Sequence, residues 1–142
     1  DYNNLYIVNA IRGGRGEEIN SINASVISSW ANLLDVKEVL VTSSEDVVEE
    51  SDRVTAGERE AFMSELKKAG VKARHYDLLE QAVEEAVSKA GKGDLVLLMG
   101  AQGMNRGQDV FRDKMDGRSR IRRRDITSLP FEYHHGNTIN PS

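Results

Sequence analysis

The chain has 142 residues, a formal net charge of −4 and no cysteine. That length suits one domain with a core of its own, and the acidic balance argues against a general nucleic-acid binder. Without cysteine neither disulfides nor thiolate metal sites are available, which points to an intracellular, cytoplasmic protein. No stretch approaches the roughly 20 apolar residues of a membrane span, and no signal-peptide pattern is present. The sequence begins at Asp1 rather than at a methionine, so it reads as a piece of a longer protein.

Strand and helix patterns alternate along the chain. Leu5–Ala10 is a short strand, and it runs into Arg12-Gly-Gly-Arg15-Gly. Ile19, Ile22, Val26, Ile27, Trp30, Leu33 and Leu34 recur at three-to-four spacing, which predicts a helix over 17–34 with these residues, Trp30 included, in the core. Lys37–Val41 is a second strand. Thr55 followed by Glu58 forms a capping box for a helix that Gly70 ends, with Phe62, Met63, Leu66 and Ala69 inward. Val71–Tyr76 is a more polar strand near a sheet edge. Asp77 is placed to cap the helix that carries Leu79, Ala82, Val83, Ala86 and Val87. Leu95–Met99 is apolar throughout, as expected of a central strand covered on both faces. A short helix fits 108–115. The basic segment 117–124 and the stretch beyond it lack apolar periodicity, so the expected division is a folded unit over 1–116 and an irregular tail over 117–142.

Strands joined by helix-length crossovers pair in parallel with right-handed connections. The expected fold is therefore α/β: a three-layer, Rossmann-like sandwich around a mainly parallel sheet. Such a sheet gathers its ligands outside the carboxyl ends of the strands. That edge would bring together Arg12 and Arg15, the acceptor-rich turn Ser44, Glu45 and Asp46, and the loop holding Gln102, Asn105 and Arg106. Arginine forks suit carboxylates and phosphates, and glycine amides can approach an anion closely. This set could hold an amino acid or a sugar nucleotide. It contains no nucleophile paired with a base, and no catalytic residue is assigned.

Other features read as structural. The acid-rich run 45–52 fits an exposed loop rather than a metal site, and His75 sits on a strand. His134-His135 lacks partners at metal-ligand spacing, so no metal site is expected. The basic run 118–124 fits a salt-bridged or solvated segment. The chain has neither a GxxxxGK[ST] loop nor a GxGxxG fingerprint.

One ordered series of motifs goes further. A strand ending in Gly13-Gly14-Arg15, a helix, a strand ending in Thr42-Ser43, a capped helix, an Ala82-Val-Glu-Glu-Ala-Val87 helix and the exit Gly93-Asp-Leu-Val-Leu-Leu-Met-Gly-Ala-Gln-Gly103 resemble the C-terminal domain of Mur-type ligases over 5–111. The resemblance implies an ATP-dependent, ADP-forming amide ligase of peptidoglycan assembly. Its central ATPase domain, which binds most of the ATP and Mg2+, and its N-terminal domain would lie outside this chain. The C-terminal domain would close over the central one and help hold nucleotide and incoming amino acid, with a cell-wall precursor as the other substrate, and would be inactive alone. Membrane and nucleic acid are not expected partners.

The series departs from the tripeptide-forming members at three places. Gly13-Gly14-Arg15 is one residue shorter than their Gly-Gly-Asp-Arg. Thr42-Ser43-Ser44-Glu45-Asp46-Val47 replaces Thr-Ser-Asp-Asn-Pro-Arg. Ala101-Gln102-Gly103-Met104-Asn105 replaces Gly-Lys-Gly-His-Glu. A divergent member with another acceptor, or one that has lost activity, fits this pattern, and a poly-γ-glutamate-type ligase domain or a non-catalytic binding or assembly module remain alternatives.

Overall fold

The computed structural model describes residues 2–100, 102–121 and 131–135, with 118–121 and 131–135 described by their backbone. In chain order the elements are β1 (Leu5–Ala10), α1 (Glu17–Leu33), β2 (Glu38–Thr42), α2 (Ala56–Lys68), β3 (Ala73–Tyr76), α3 (Leu79–Lys89), β4 (Asp94–Met99), α4 (Gly107–Ile121) and β5 (Phe131–His135). Single 3-10 turns at Glu50–Asp52 and Gln102–Met104 precede α2 and α4. The strands form one sheet in the order β3-β2-β1-β4-β5, and each neighbouring pair is parallel. The α/β, three-layer, parallel architecture expected from the sequence is the one observed. Among the described residues no helix is long and apolar enough to cross a membrane.

β1 lies at the centre, and all six of its residues are buried. Period-two alternation divides it between the two faces. Tyr6, Val8 and Ala10 pack with Leu40, Val96, Leu98 and the inner residues of α3 and α4, among them Leu79, Val83 and Phe111. Ile7 and Ile11 pack with Val39, Val41, Ala24 and Ile27 of α1, and Phe62 and Leu66 of α2. Successive strands switch from one side of β1 to the other between β3 and β4, and in such a sheet the loops after β1 and β4 are where a ligand crevice is expected.

Several expectations are corrected. The face that α1 buries consists of Asn20, Ala24, Ile27, Ser28 and Ala31. Ile19, Ile22, Val26, Trp30, Leu33 and Leu34 are instead exposed, with Trp30 at 52%. Periodicity identifies a helix but does not say which face meets the core, and here the small residues face inward. β4 is covered fully on one side only, because Val96 and Leu98 are buried while Leu95, Leu97 and Met99 are half-buried. Asp77 does not cap α3. The carboxylate of Asp46 does so, accepting from the Leu79 and Glu80 amides at 2.8 and 3.2 Å. The expected boundary at residue 117 falls inside α4, which continues to Ile121, and residues 131–135 of the expected irregular tail form β5 against β4. The rest of that tail, with the remaining basic run, lies outside the described residues, as do the side chains of His134 and His135.

Candidate functional site

The crevice is built first by a carboxylate that local sequence assigns only to a helix cap. Glu58 completes the capping box at the start of α2, where Thr55 Oγ1 accepts from the Glu58 amide and Glu58 Oε1 accepts from the Thr55 amide at 2.9 Å. The same carboxylate reaches across to the loop after β1. Its Oε1 accepts from the Gly14 amide at 3.3 Å, and its Oε2 accepts from the Arg15 and Gly16 amides at 3.0 and 2.7 Å. Buried Asn20 of α1 adds a third bond to Oε2 at 3.3 Å and donates as well to the Arg12 and Gly16 carbonyls. Burial by itself raises the Glu58 pKa, but the bonds from Thr55, Gly16 and Gly14 outweigh it, and the carboxyl titrates below its ordinary value.

The glycine-rich loop therefore is an anion cradle, and the anion in it belongs to the protein. Its glycines serve close backbone packing too. A Cβ on Gly13 would collide with the Asp52 and Arg53 carbonyl groups, and one on Gly14 would stand 2.6 Å from the Ser51 oxygen. The acid-rich segment is thus laid against this loop by its backbone. Among the described residues no group of three or more His, Asp and Glu is arranged to hold a metal ion.

With its amides satisfied, the loop presents side chains. Arg12 and Arg15 are exposed, and neither guanidinium makes a hydrogen bond or ion pair among the described residues. The loop after β4 stands beside it, since β1 and β4 are paired neighbours running the same way. The approach is tight: a Cβ on Gly100 or Gly103 would lie 2.8 or 2.9 Å from the Ala10 side chain. Gln102, Asn105 and Arg106 emerge exposed from this turn. The structure thus brings Arg12, Arg15, Gln102 and Asn105 to one edge.

The middle turn is employed differently. Ser44 is buried, with φ of 51°, and its hydroxyl donates to the Gly103 carbonyl at 2.6 Å, tying the exits of β2 and β4 together. Asp46 is engaged as the α3 cap. Glu45 is exposed, and its amide donates to the Asp77 carbonyl.

Beside it, Ser43 Oγ lies 2.7 Å from His75 Nε2, and His75 Nδ1 lies 3.8 Å from Asp77 Oδ1. The order Ser-His-Asp suggests hydrolytic chemistry, but Ser43 is 2% exposed and offers no face to a substrate. The contact instead pins the end of β2 to β3. Burial lowers the His75 pKa, partly opposed by Asp77. An open groove of about 470 Å³ lined by His75, Tyr76, Asp77, Gln81, Glu84 and Glu85 lies at the β3 edge, two strands from the crevice.

Glu58 and Asn20 are the residues holding this loop that sequence reasoning missed. Glu58 was visible as a cap, but its second role joins residues 42 to 44 positions apart. Compared with protein-family models and with curated proteins, the chain matches none.

Proposed function

We propose that this chain is the C-terminal domain of a divergent Mur-type, ATP-dependent amide ligase. In the full polypeptide it closes over a central ATPase domain, with the crevice edge facing that domain. The observation that carries this reading is the pair of guanidiniums, Arg12 and Arg15, that have no partner among the described residues and stand on a locked loop beside the Gln102–Asn105 turn. The motif series quoted above supports the family assignment. ATP and Mg2+ would be held mainly by the central domain, where the γ-phosphoryl group would pass to the substrate carboxylate with release of ADP and an amine would then displace phosphate to form the amide.

For this chemistry the present domain supplies charge and position. Phosphoryl transfer relies on placed positive groups, and an arginine held at a closing edge meets the phosphates or the amino-acid carboxylate only in the closed state. The locked backbone means that Arg15 loses little loop entropy on engaging its ligand.

The test is Arg15→Ala in the full-length enzyme. The expected result is a KM for the incoming amino acid or for ATP raised about tenfold or more, with the fold intact. Unchanged KM values for ATP and for every amino acid that the enzyme accepts would refute the assignment.

A further inference from the structure

Exposed large apolar side chains are concentrated on one element. Ile19, Ile22, Val26, Trp30 and Leu33 of α1 are 45, 52, 52, 52 and 74% exposed, and Leu34 just past the helix end is 40% exposed. The stripe is bounded on one side by the flank on which Ser25, Ser28, Ser29 and Asn32 border a groove against α2. Within the span 19–34 there is no charged residue.

The spacing of the stripe is palindromic. Ile19, Ile22, Val26, Trp30 and Leu33 stand seven and four residues before, at, and four and seven residues after Val26. Antiparallel pairing about a two-fold axis at Val26 sets Ile19 against Leu33, Ile22 against Trp30 and Val26 against itself. That is the self-complementarity an isologous interface requires. Over 19–34 the span can face its own copy without like-charge repulsion, the acids Glu17 and Asp35 meeting only at its two ends, and charge depletion marks interface cores.

The area is also adequate. About half of each of these five side chains amounts to roughly 500 Å² of apolar surface. A specific interface buries about 800 Å² per partner, so this stripe would supply some 60% of it, close to the apolar share of ordinary interfaces. Neutral Asn23 and Ser29, which border the stripe on its two sides, begin the polar remainder.

We propose that α1 is a homodimerisation surface, and that its occupant is α1 of a second copy in antiparallel orientation. The experiment is sedimentation of the 142-residue chain at concentrations up to about 100 μM, with Val26→Lys and two single-cysteine variants. The unmodified chain is expected to dimerise. Val26→Lys, which places two ammonium groups at the two-fold axis, is expected to weaken association at least tenfold while leaving the circular dichroism unchanged. The chain has no native cysteine, so Val26→Cys should oxidise to a covalent dimer under mild oxidant and Ser25→Cys should not. A chain that stays monomeric, a dimer indifferent to Val26→Lys, or equal cross-linking of both cysteine variants would overturn the proposal.

Discussion

Replacing Glu58 by glutamine tests the internal anion with the least change of shape. Each carboxylate oxygen serves separate donors: Oε1 takes the Gly14 and Thr55 amides, while Oε2 takes the Arg15 and Gly16 amides and the Asn20 side chain. Glutamine has one acceptor, which the larger group of donors will claim. Its NH2 then points at the Gly14 and Thr55 N–H groups, donor against donor. Hydrogen bonds to a charged acceptor contribute about 1.5–3 kcal/mol each, and water can reach the exposed Thr55 end. Two lost bonds, discounted for that access, give an expected loss of about 2–3 kcal/mol in denaturant unfolding. The pH dependence has a fixed sign. The Glu58 pKa is lowered on folding from an ordinary 4.5, so its contribution is complete above that value and fades as pH falls through the lower folded value. The gap between wild type and Glu58→Gln should therefore be full at neutral pH and narrow in acid. Amide exchange at Arg15 and Gly16 should quicken in the variant. A stability unchanged within about 0.5 kcal/mol, together with unaltered exchange at both amides, would refute the cradle.

Three further outcomes follow from packing and titration. Leu98→Asp buries an unpaired charge against α3 and α4 and should cost about 4 kcal/mol or more in a urea melt, whereas Leu97→Asp, on the half-covered face, should cost clearly less; equal losses would contradict the one-sided cover of β4. Gly13→Ala drives a methyl group into the Asp52 and Arg53 backbone and should cost about 3 kcal/mol, but Gly16→Ala, with φ of 96° and open space around it, should cost only the conformational strain of about 1–2 kcal/mol. His75 is held below its ordinary 6.5 by burial, so the native state resists its protonation and wild-type stability should decline as pH drops below 6.5. His75→Gln should flatten that segment of the stability profile, and a wild-type decline retained in the variant would show that another group is responsible.

Much of the fold was legible because its signals are local. The β1 limits expected from Leu5–Ala10 are those observed, and the Thr55–Glu58 box starts α2 where the spacing placed it. The misreading of α1 has a physical cause. Its core face is assembled from Asn20, Ala24, Ile27, Ser28 and Ala31, mostly small residues that let the helix lie close to α2, while most of its larger residues form an equally regular stripe on the outside. Periodicity is identical for the two faces. Within the crevice, strand exits could be placed at one edge by topology alone. The partners of their polar groups could not, because Asp46 reaches α3 across 33 positions and Ser44 reaches Gly103 across 59. β5 lacks a periodic signal of its own in Phe131–His135 and is defined by register against β4.

The internal anion also changes what the glycine loop can recognise. A free nest of amides binds a phosphate by its backbone, and its arginines then act as auxiliaries. Here Gly14, Arg15 and Gly16 already donate to Glu58, so a ligand arriving at this edge meets guanidinium forks carried on a backbone that is fixed in advance. Because the same carboxylate caps α2, the loop is tied to that helix, and displacement of either would leave a buried carboxylate short of its donors. The discrimination then rests with side-chain geometry. Arg15→Lys keeps the charge but removes the planar fork, so if the ligand is gripped in bidentate fashion the lysine variant should behave nearly as badly as the alanine variant in KM. If the edge supplies only a positive field, lysine should restore most of the affinity that alanine loses, and the model of a bidentate grip would then be abandoned for one of unspecific charge.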